Sequence, residues 1–146
     1  MSSDHIIPVQ SGDPEMDAAM QTARDHFPEF WRELAADYRR VIPVYAGAMA
    51  KAYFFDSDAP QSGEHMWVRG IEYDGKTITG ILADRPRHIR SVRGGQSASF
   101  PLERLSDWFY VEDGKAVGAF TVRLLRTRMT DEQRRAHDSH YPFRFE

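Results

Sequence analysis

Apolar positions recur along this chain with two different periods, and the change of period divides it into a helical first third and a β-rich remainder. Met16, Ala19, Met20, Ala23 and Phe27 fall at helical spacing, and after Pro28 the stripe continues through Phe30, Trp31, Leu34, Ala35 and Tyr38 as far as Pro43. Asp13-Pro14-Glu15 is a helix start: an aspartate that can cap, a proline suited to the first helical position, and a carboxylate at the positive end of the dipole. Pro28 lacks an N–H, so the pattern predicts either two short helices or one bent one. Residues 1–12 show no periodicity and read as a flexible arm, with Ile6, Ile7 and Val9 touching the body, ahead of a single domain over 13–146.

Beyond Ala46 the period shortens. Residues 48–55 read as a strand ended by the turn-rich stretch 56–63, and residues 64–73 and 76–83 flank Asp74-Gly75, a favoured hairpin dipeptide. On the first strand of that hairpin Met66 and Val68 share one face, and His65, Trp67 and Arg69 share the other. Residues 88–92 suggest a short strand, Gly94-Gly95 a turn, and residues 102–106 a single helical turn closing onto Trp108. Asp113-Gly114 marks a second tight hairpin, whose last strand is expected to run on through Thr121 and Arg123 with Val117, Ala119 and Leu125 on their face. Thr130 to Gln133 forms a capping-box pattern for a last helix ending near His137, followed by the aromatic tail Tyr141-Pro142-Phe143-Arg144-Phe145. The expected fold is α+β. A helix or bent helix pair packs on a strongly curved antiparallel sheet, a small SH3-like half-barrel of about five to six strands, with a short C-terminal helix.

Composition narrows the class without changing this picture. A length of 146 residues, 41% hydrophobic and 28% charged, suits one ordinary globular domain, and the aromatic share of 12% favours a packed β-rich core. Cysteine is absent, which excludes disulfides, thiolate metal sites and cysteine nucleophiles and agrees with a reducing compartment. The first residues carry no basic, apolar leader, and no apolar run approaches the ~18 residues of a membrane span, so the expected location is the cytoplasm with no membrane contact. The net charge of −3 argues against a protein built wholesale for nucleic acid.

Several spaced motifs occur together in order: Glu64-His65-Met66-Trp67-Val68, the Gly80 to Pro86 segment, Ser106-Asp107-Trp108 with Tyr110 and Gly114, and Gly118 with Phe120, Thr121 and Arg123. Over roughly residues 16–130 this resembles a bacterial family known as domain of unknown function 2314, the YegJ-like proteins. Two departures are visible, Ala119 in place of a frequent second glycine and Gly95-Gln96 in place of Gly-Asp. The resemblance implies no known reaction. It implies bacterial gene contexts of varied kind, some suggestive of toxin–immunity or stress functions.

The candidate chemistry lies at His65, Trp67, Arg69, Asp107, Trp108 and Arg123. A histidine near carboxylates can act as a general base, but Glu64 and His65 are adjacent on a strand and point to opposite faces. His65, Trp67 and Arg69 together make a binding patch better than a hydrolytic site. Asp107, beside a one-turn helix, suits local backbone bonding, and Arg123 on a sheet face needs a carboxylate partner, for which Asp107 and Glu64 are the candidates. Arg85, Arg87, Arg90 and Arg93, with His88 among them, form the concentrated positive run and support nucleic-acid binding as a minor alternative; alternate arginines also guard edge strands. His137-Asp138-Ser139-His140 lacks the third ligand and orienting shell of a metal site, and there is no phosphate loop or nucleophile elbow. No catalytic residue, cofactor or metal is assigned. The expectation is a non-enzymatic interaction domain, immunity-like or regulatory, whose protein partner meets an aromatic, Arg-bearing face or the acidic stretches 13–25 and 56–64. The alternative is an enzyme or small-ligand binder with a cleft around His65, Trp67, Asp107 and Arg123.

Overall fold

The computed structural model describes residues 12–145, so the expected arm, apart from Gly12, lies outside the described residues. One helix, α1 (Pro14–Tyr38), leads into strands β1 (Ala46–Phe54), β2 (Glu64–Tyr73), β3 (Thr77–Leu82), β4 (Ser97–Pro101), β5 (Leu105–Glu112) and β6 (Lys115–Gly118), then α2 (Phe120–Thr127) and α3 (Asp131–Asp138). The strands form one antiparallel sheet in the order β4-β3-β2-β1-β5-β6. The fold is α+β as expected, and the sheet stays open rather than closing on itself.

The sequence stripe becomes a single helix that runs through Pro28. Asp13 caps it by accepting from the N–H groups of Glu15 (3.1 Å) and Met16 (3.3 Å). Met20, Ala23, Phe27, Phe30 and Leu34 are buried, and the last four pack on the sheet face made by Ala50, Ala52, Phe54, Met66, Val68, Ile78, Phe100, Trp108 and Tyr110. Burying each large side chain of this set contributes about 1.5–3 kcal/mol. Two bonds fix the helix in register on that face: Trp108 Nε1 donates to the Ala23 carbonyl (2.9 Å), and Arg24 Nη1 donates to the Leu105 carbonyl (2.9 Å).

Three expectations change. Residues 88–92 are a loop, the helical turn shrinks to Leu102–Arg104, and the last strand stops at Gly118. Gly118 has φ +91° and Ala119 φ +54°, so the chain leaves the sheet in two left-handed steps and re-enters as a helix. Thr121 and Arg123 therefore sit on α2, not on a strand face. Asp113 (φ +52°) and Gly114 (φ +74°) form the expected turn between β5 and β6, and Thr130 and Gln133 complete the capping box of α3. The aromatic tail then returns to the sheet. Phe145 is buried with Phe109, Val111 and Ala116, and Arg144 makes a parallel bridge to Lys115 beside β6.

Candidate functional site

The sheet face opposite α1 carries the candidate chemistry, and strand register decides which groups meet there. Lys51 on β1 lies opposite Trp67 on β2 and opposite Asp107 on β5, so the three stand in a row across the sheet. Between Lys51/Asp107 and Ala52/Leu105 the β1–β5 register shifts by one residue, leaving Ser106 as the extra residue of a bulge. A regular strand would send Ser106 and Asp107 to opposite faces. The bulge lets Asp107 bond to α2 while Ser106 Oγ lies 3.1 Å from Nδ1 of His65.

Asp107 is fully buried and fully engaged. Its carboxylate accepts from the N–H groups of Trp108 (2.9 Å), Phe120 (2.9 Å) and Thr121 (3.0 Å) and from the Thr121 hydroxyl. Phe120 and Thr121 open α2, so a carboxylate from β5 supplies the cap that Ala119 cannot, at the positive end of the helix dipole. Lys51 Nζ donates to Thr121 Oγ1 (3.0 Å) and stands 5.1 Å from the centre of the Trp67 ring. Burial pushes the Asp107 carboxyl above its ordinary range, against the Thr121 hydroxyl, Lys51 and the backbone donors that favour its anion. Burial likewise lowers the Lys51 ammonium, against the attraction of Asp107 and Asp84.

His65 and Ser106 have the spacing of a base and a nucleophile, but Ser106 is fully buried and no substrate atom can reach its hydroxyl. The outer edge of His65 remains exposed, whereas burial of the ring on its inner side, with Lys51 nearby, pulls the imidazole down to about 4. At neutral pH it is uncharged.

Arg123 overturns its expected pairing. Nε donates to the Gly118 carbonyl (2.7 Å), and Nη1 and Nη2 donate to the carbonyls of Phe145 and Ala116. It bonds main chain rather than Asp107 or Glu64, and so latches the aromatic tail to β6. Trp108 belongs to the opposite face, stacked on Phe30 beneath α1. Trp67 is half-buried against Phe109, and Arg69 is exposed. Thus His65, Trp67 and Asp107 share one face, while Trp108 and Arg123 serve other parts of the structure. A cleft of about 580 Å³ beside β2 is lined by Glu64, His65, Met66, Asp84, Arg85 and Arg87 among others, and neither Trp67, Asp107 nor Arg123 reaches it.

The arginine run is shaped by acids far away in sequence. Glu64 accepts from the N–H groups of Arg87 (2.9 Å), His88 (3.0 Å) and Ile89 (3.2 Å), and Asp56 from those of Arg90 (3.0 Å) and Ser91 (2.9 Å). Asp84 turns back to the Trp67 N–H (2.7 Å). Burial works against the Glu64 anion, yet the His88, Arg87 and Ile89 donors hold its carboxyl below the ordinary range; the Ser91 hydroxyl and the Arg90 N–H do the same for Asp56. The expected acidic stretches are therefore already partnered at these points, and Asp13 and Glu15 pair with Arg128 at 2.6 and 2.9 Å. Arg126 likewise occupies the C-terminal cluster, 2.8 Å from His137 Nδ1 and 2.6 Å from Asp138.

A different feature escaped sequence reasoning. In the last turn of α1 the buried Asp37 accepts from the N–H groups of Val44 (2.7 Å) and Tyr45 (3.2 Å), just ahead of β1, and from Arg40 Nη1 (2.5 Å). This ties both ends of a short loop together and leaves its tip bare, with Val41 98% and Ile42 80% exposed and Tyr38 and Val44 half exposed. The signal was present as Val41-Ile42-Pro43-Val44, an apolar run straight after the helix, but sequence alone does not say which side of it faces water.

The family model described as "Uncharacterized protein conserved in bacteria (DUF2314)" matches residues 13–145. The chain belongs to that family. A Neisseria meningitidis serogroup B protein named "Putative ankyrin repeat protein" is 37% identical over 140 residues, covering 95% of this chain and 55% of the relative. The Escherichia coli K12 protein named "Uncharacterized protein YegJ" is 29% identical over 59 residues, 40% of this chain and 39% of that one. The chain therefore spans about half the length, or less, of these relatives. No solved structure matches it. Among the described residues, no helix is long and apolar enough to cross a membrane and no group of histidine and acidic side chains could hold a metal ion.

Proposed function

We propose that this domain is a cytoplasmic, non-enzymatic protein-interaction module whose contact point is the Val41-Ile42 tip. The observation that carries this reading is a pair of large apolar side chains held almost wholly in water by a buried, hydrogen-bonded aspartate. Isolated exposed apolar residues are ordinary, but among the described residues four of the six exposed large hydrophobics lie within residues 38–44. A partner that buries Val41 and Ile42 gains about 1.5–3 kcal/mol for each, and the pinned loop loses little entropy on docking. Arg39, exposed beside the tip, adds charge, so the fitting partner presents an apolar pocket rimmed by carboxylates.

The side chains able to do chemistry support the same reading. Asp107 braces α2, Arg123 latches the tail, and His65 is neutral against a buried serine. A relative that carries the ankyrin repeat name over a longer chain adds weight, because ankyrin arrays present binding surfaces. An immunity-like or regulatory role is the concrete form.

The test is a photo-crosslinking residue at position 42, with position 99 on the distant strand β4 as control, in cells expressing the protein. A discrete protein adduct from position 42 that is missing from position 99 is expected. Identical patterns from both, or none from 42, would contradict the assignment.

A further inference from the structure

The arginine loop offers a second site, independent of the apolar tip. Residues 87–91 point five successive backbone N–H groups inward, to Glu64 and Asp56, so the loop is fastened by its main chain and not by its arginine side chains. Leu82 closes its far end, donating to the Gln96 carbonyl (2.9 Å) and accepting from the Gly95 N–H (2.8 Å). Ile89 is buried beneath it as an anchor. The result is a rigid strap with Arg85, Arg87, Arg90 and Arg93 all on its exposed side.

Between these side chains lies an open cleft of about 450 Å³. Arg85, Arg90 and Arg93 line it over a floor of Pro86, Ile89 and Val92, and no carboxylate lines it. Arg90 is only loosely held, 4.0 Å from Asp56 and 3.8 Å from Asp58 with most of its side chain in water, and Arg85 and Arg93 have no ion pair among the described residues. Three guanidinium groups around an apolar floor suit a ligand with a concentrated negative charge on a flat, weakly polar body. Guanidinium forks bind phosphate oxygens in pairs and can also lie flat against a ring.

We propose that this cleft binds a nucleoside phosphate, with the phosphate held by Arg85, Arg90 and Arg93 and the base or sugar covering Pro86, Ile89 and Val92. The phosphate can belong to a free nucleotide or to a nucleotide unit of a single strand; the chemistry at the cleft is the same. The protein's net charge of −3 restricts such binding to this local patch instead of spreading it over the surface. Because the anchoring bonds come from backbone N–H groups, the arginines can be changed without unfastening the loop.

The experiment titrates the full chain with adenosine monophosphate, a ten-nucleotide single strand and a hexaglutamate peptide, following backbone amide shifts and heats of binding. Saturable shifts clustered in residues 85–94 are expected with the two phosphate probes. Affinity should fall about tenfold in Arg85→Gln/Arg93→Gln, with the salt dependence reduced and the melting temperature unchanged. The single variants Arg85→Gln and Arg93→Gln should each give a smaller loss, so the proposal does not depend on the double variant folding. Tighter binding of the strand than of the mononucleotide would support a strand as the source, and equal binding a free nucleotide. Absence of binding by both phosphate probes, equal binding of hexaglutamate, or affinity unaffected by the substitutions would overturn the proposal. The crosslink at position 42 is unaffected by any of these outcomes.

Discussion

Asp107 on β5 accepts a hydrogen bond from the N–H of Thr121 at 3.0 Å, and with its bond to the Phe120 N–H this makes a strand residue the cap of α2. The pair joins the sheet to the helix that continues the chain after the second hairpin, with Lys51 bridging to the Thr121 hydroxyl from the other side. The residues that first look like chemistry hold this joint together.

Replacing Asp107 by alanine leaves the Phe120 and Thr121 N–H groups without their acceptor and removes one of the two carboxylates that attract Lys51. A loss of about 3–5 kcal/mol is expected, read as a drop in urea midpoint at unchanged slope. Asp107→Asn retains an acceptor and should cost less, about 1–3 kcal/mol.

Arg123→Leu removes three donors to the carbonyls of Gly118, Phe145 and Ala116. The tail should detach before the rest of the fold unfolds. Hydrogen exchange at the Ala116 amide, which bonds the Arg144 carbonyl, should quicken, while amides in the middle of α1 keep their protection. Uniform loss of protection across α1 and the tail would show that Arg123 supports the whole core instead.

His65 sets a pH window. Its folded value of about 4 lies below the ordinary 6.5, so the unfolded chain binds the extra proton between them. The stability tied to the neutral ring is complete above about 6.5 and is lost as pH falls toward 4. His65→Gln should flatten the fall in melting temperature between these values, and an imidazole titration by NMR should show a midpoint near the lower one.

How much of this was legible in the sequence follows from how local each determinant is. Asp13 and Pro14 start α1 as direct neighbours, and Asp74-Gly75 and Asp113-Gly114 set their hairpins with two residues each, so these elements were readable. Residues 120–125 read as a strand because the helix they open is capped by Asp107, thirteen residues away from Phe120, after two left-handed steps that only one glycine foreshadows. The 88–92 loop was misread for the same reason, since Glu64 and Asp56 take its N–H groups from 25 and 34 positions upstream. Lys51 was a lone charge in an apolar strand and could have been matched to Asp107. The Ser106 bulge that arranges the rest of the face had no sequence signal.

Gly118 should not tolerate a side chain. A Cβ there would lie 2.5 Å from the Trp108 carbonyl oxygen and 2.6 Å from its ring, at φ +91°. Gly118→Ala is expected to cost roughly 2–4 kcal/mol, combining backbone strain with a clash against the core tryptophan. Calorimetric melting would measure it, and a loss below about 0.5 kcal/mol, the size of a neutral surface change, would count against the close approach.

On the proposed function, binding of the protein partner resides in the exposed loop tip and not in the histidine face. Its most direct measurement is the affinity of the partner identified by crosslinking for three proteins: the natural chain, Val41→Asp/Ile42→Asp, and His65→Gln. The tip variant is expected to lose binding by at least about a hundredfold, with two buried apolar anchors replaced by charges, while His65→Gln binds as the natural chain does. Retained binding by the tip variant, with loss in His65→Gln, would contradict it.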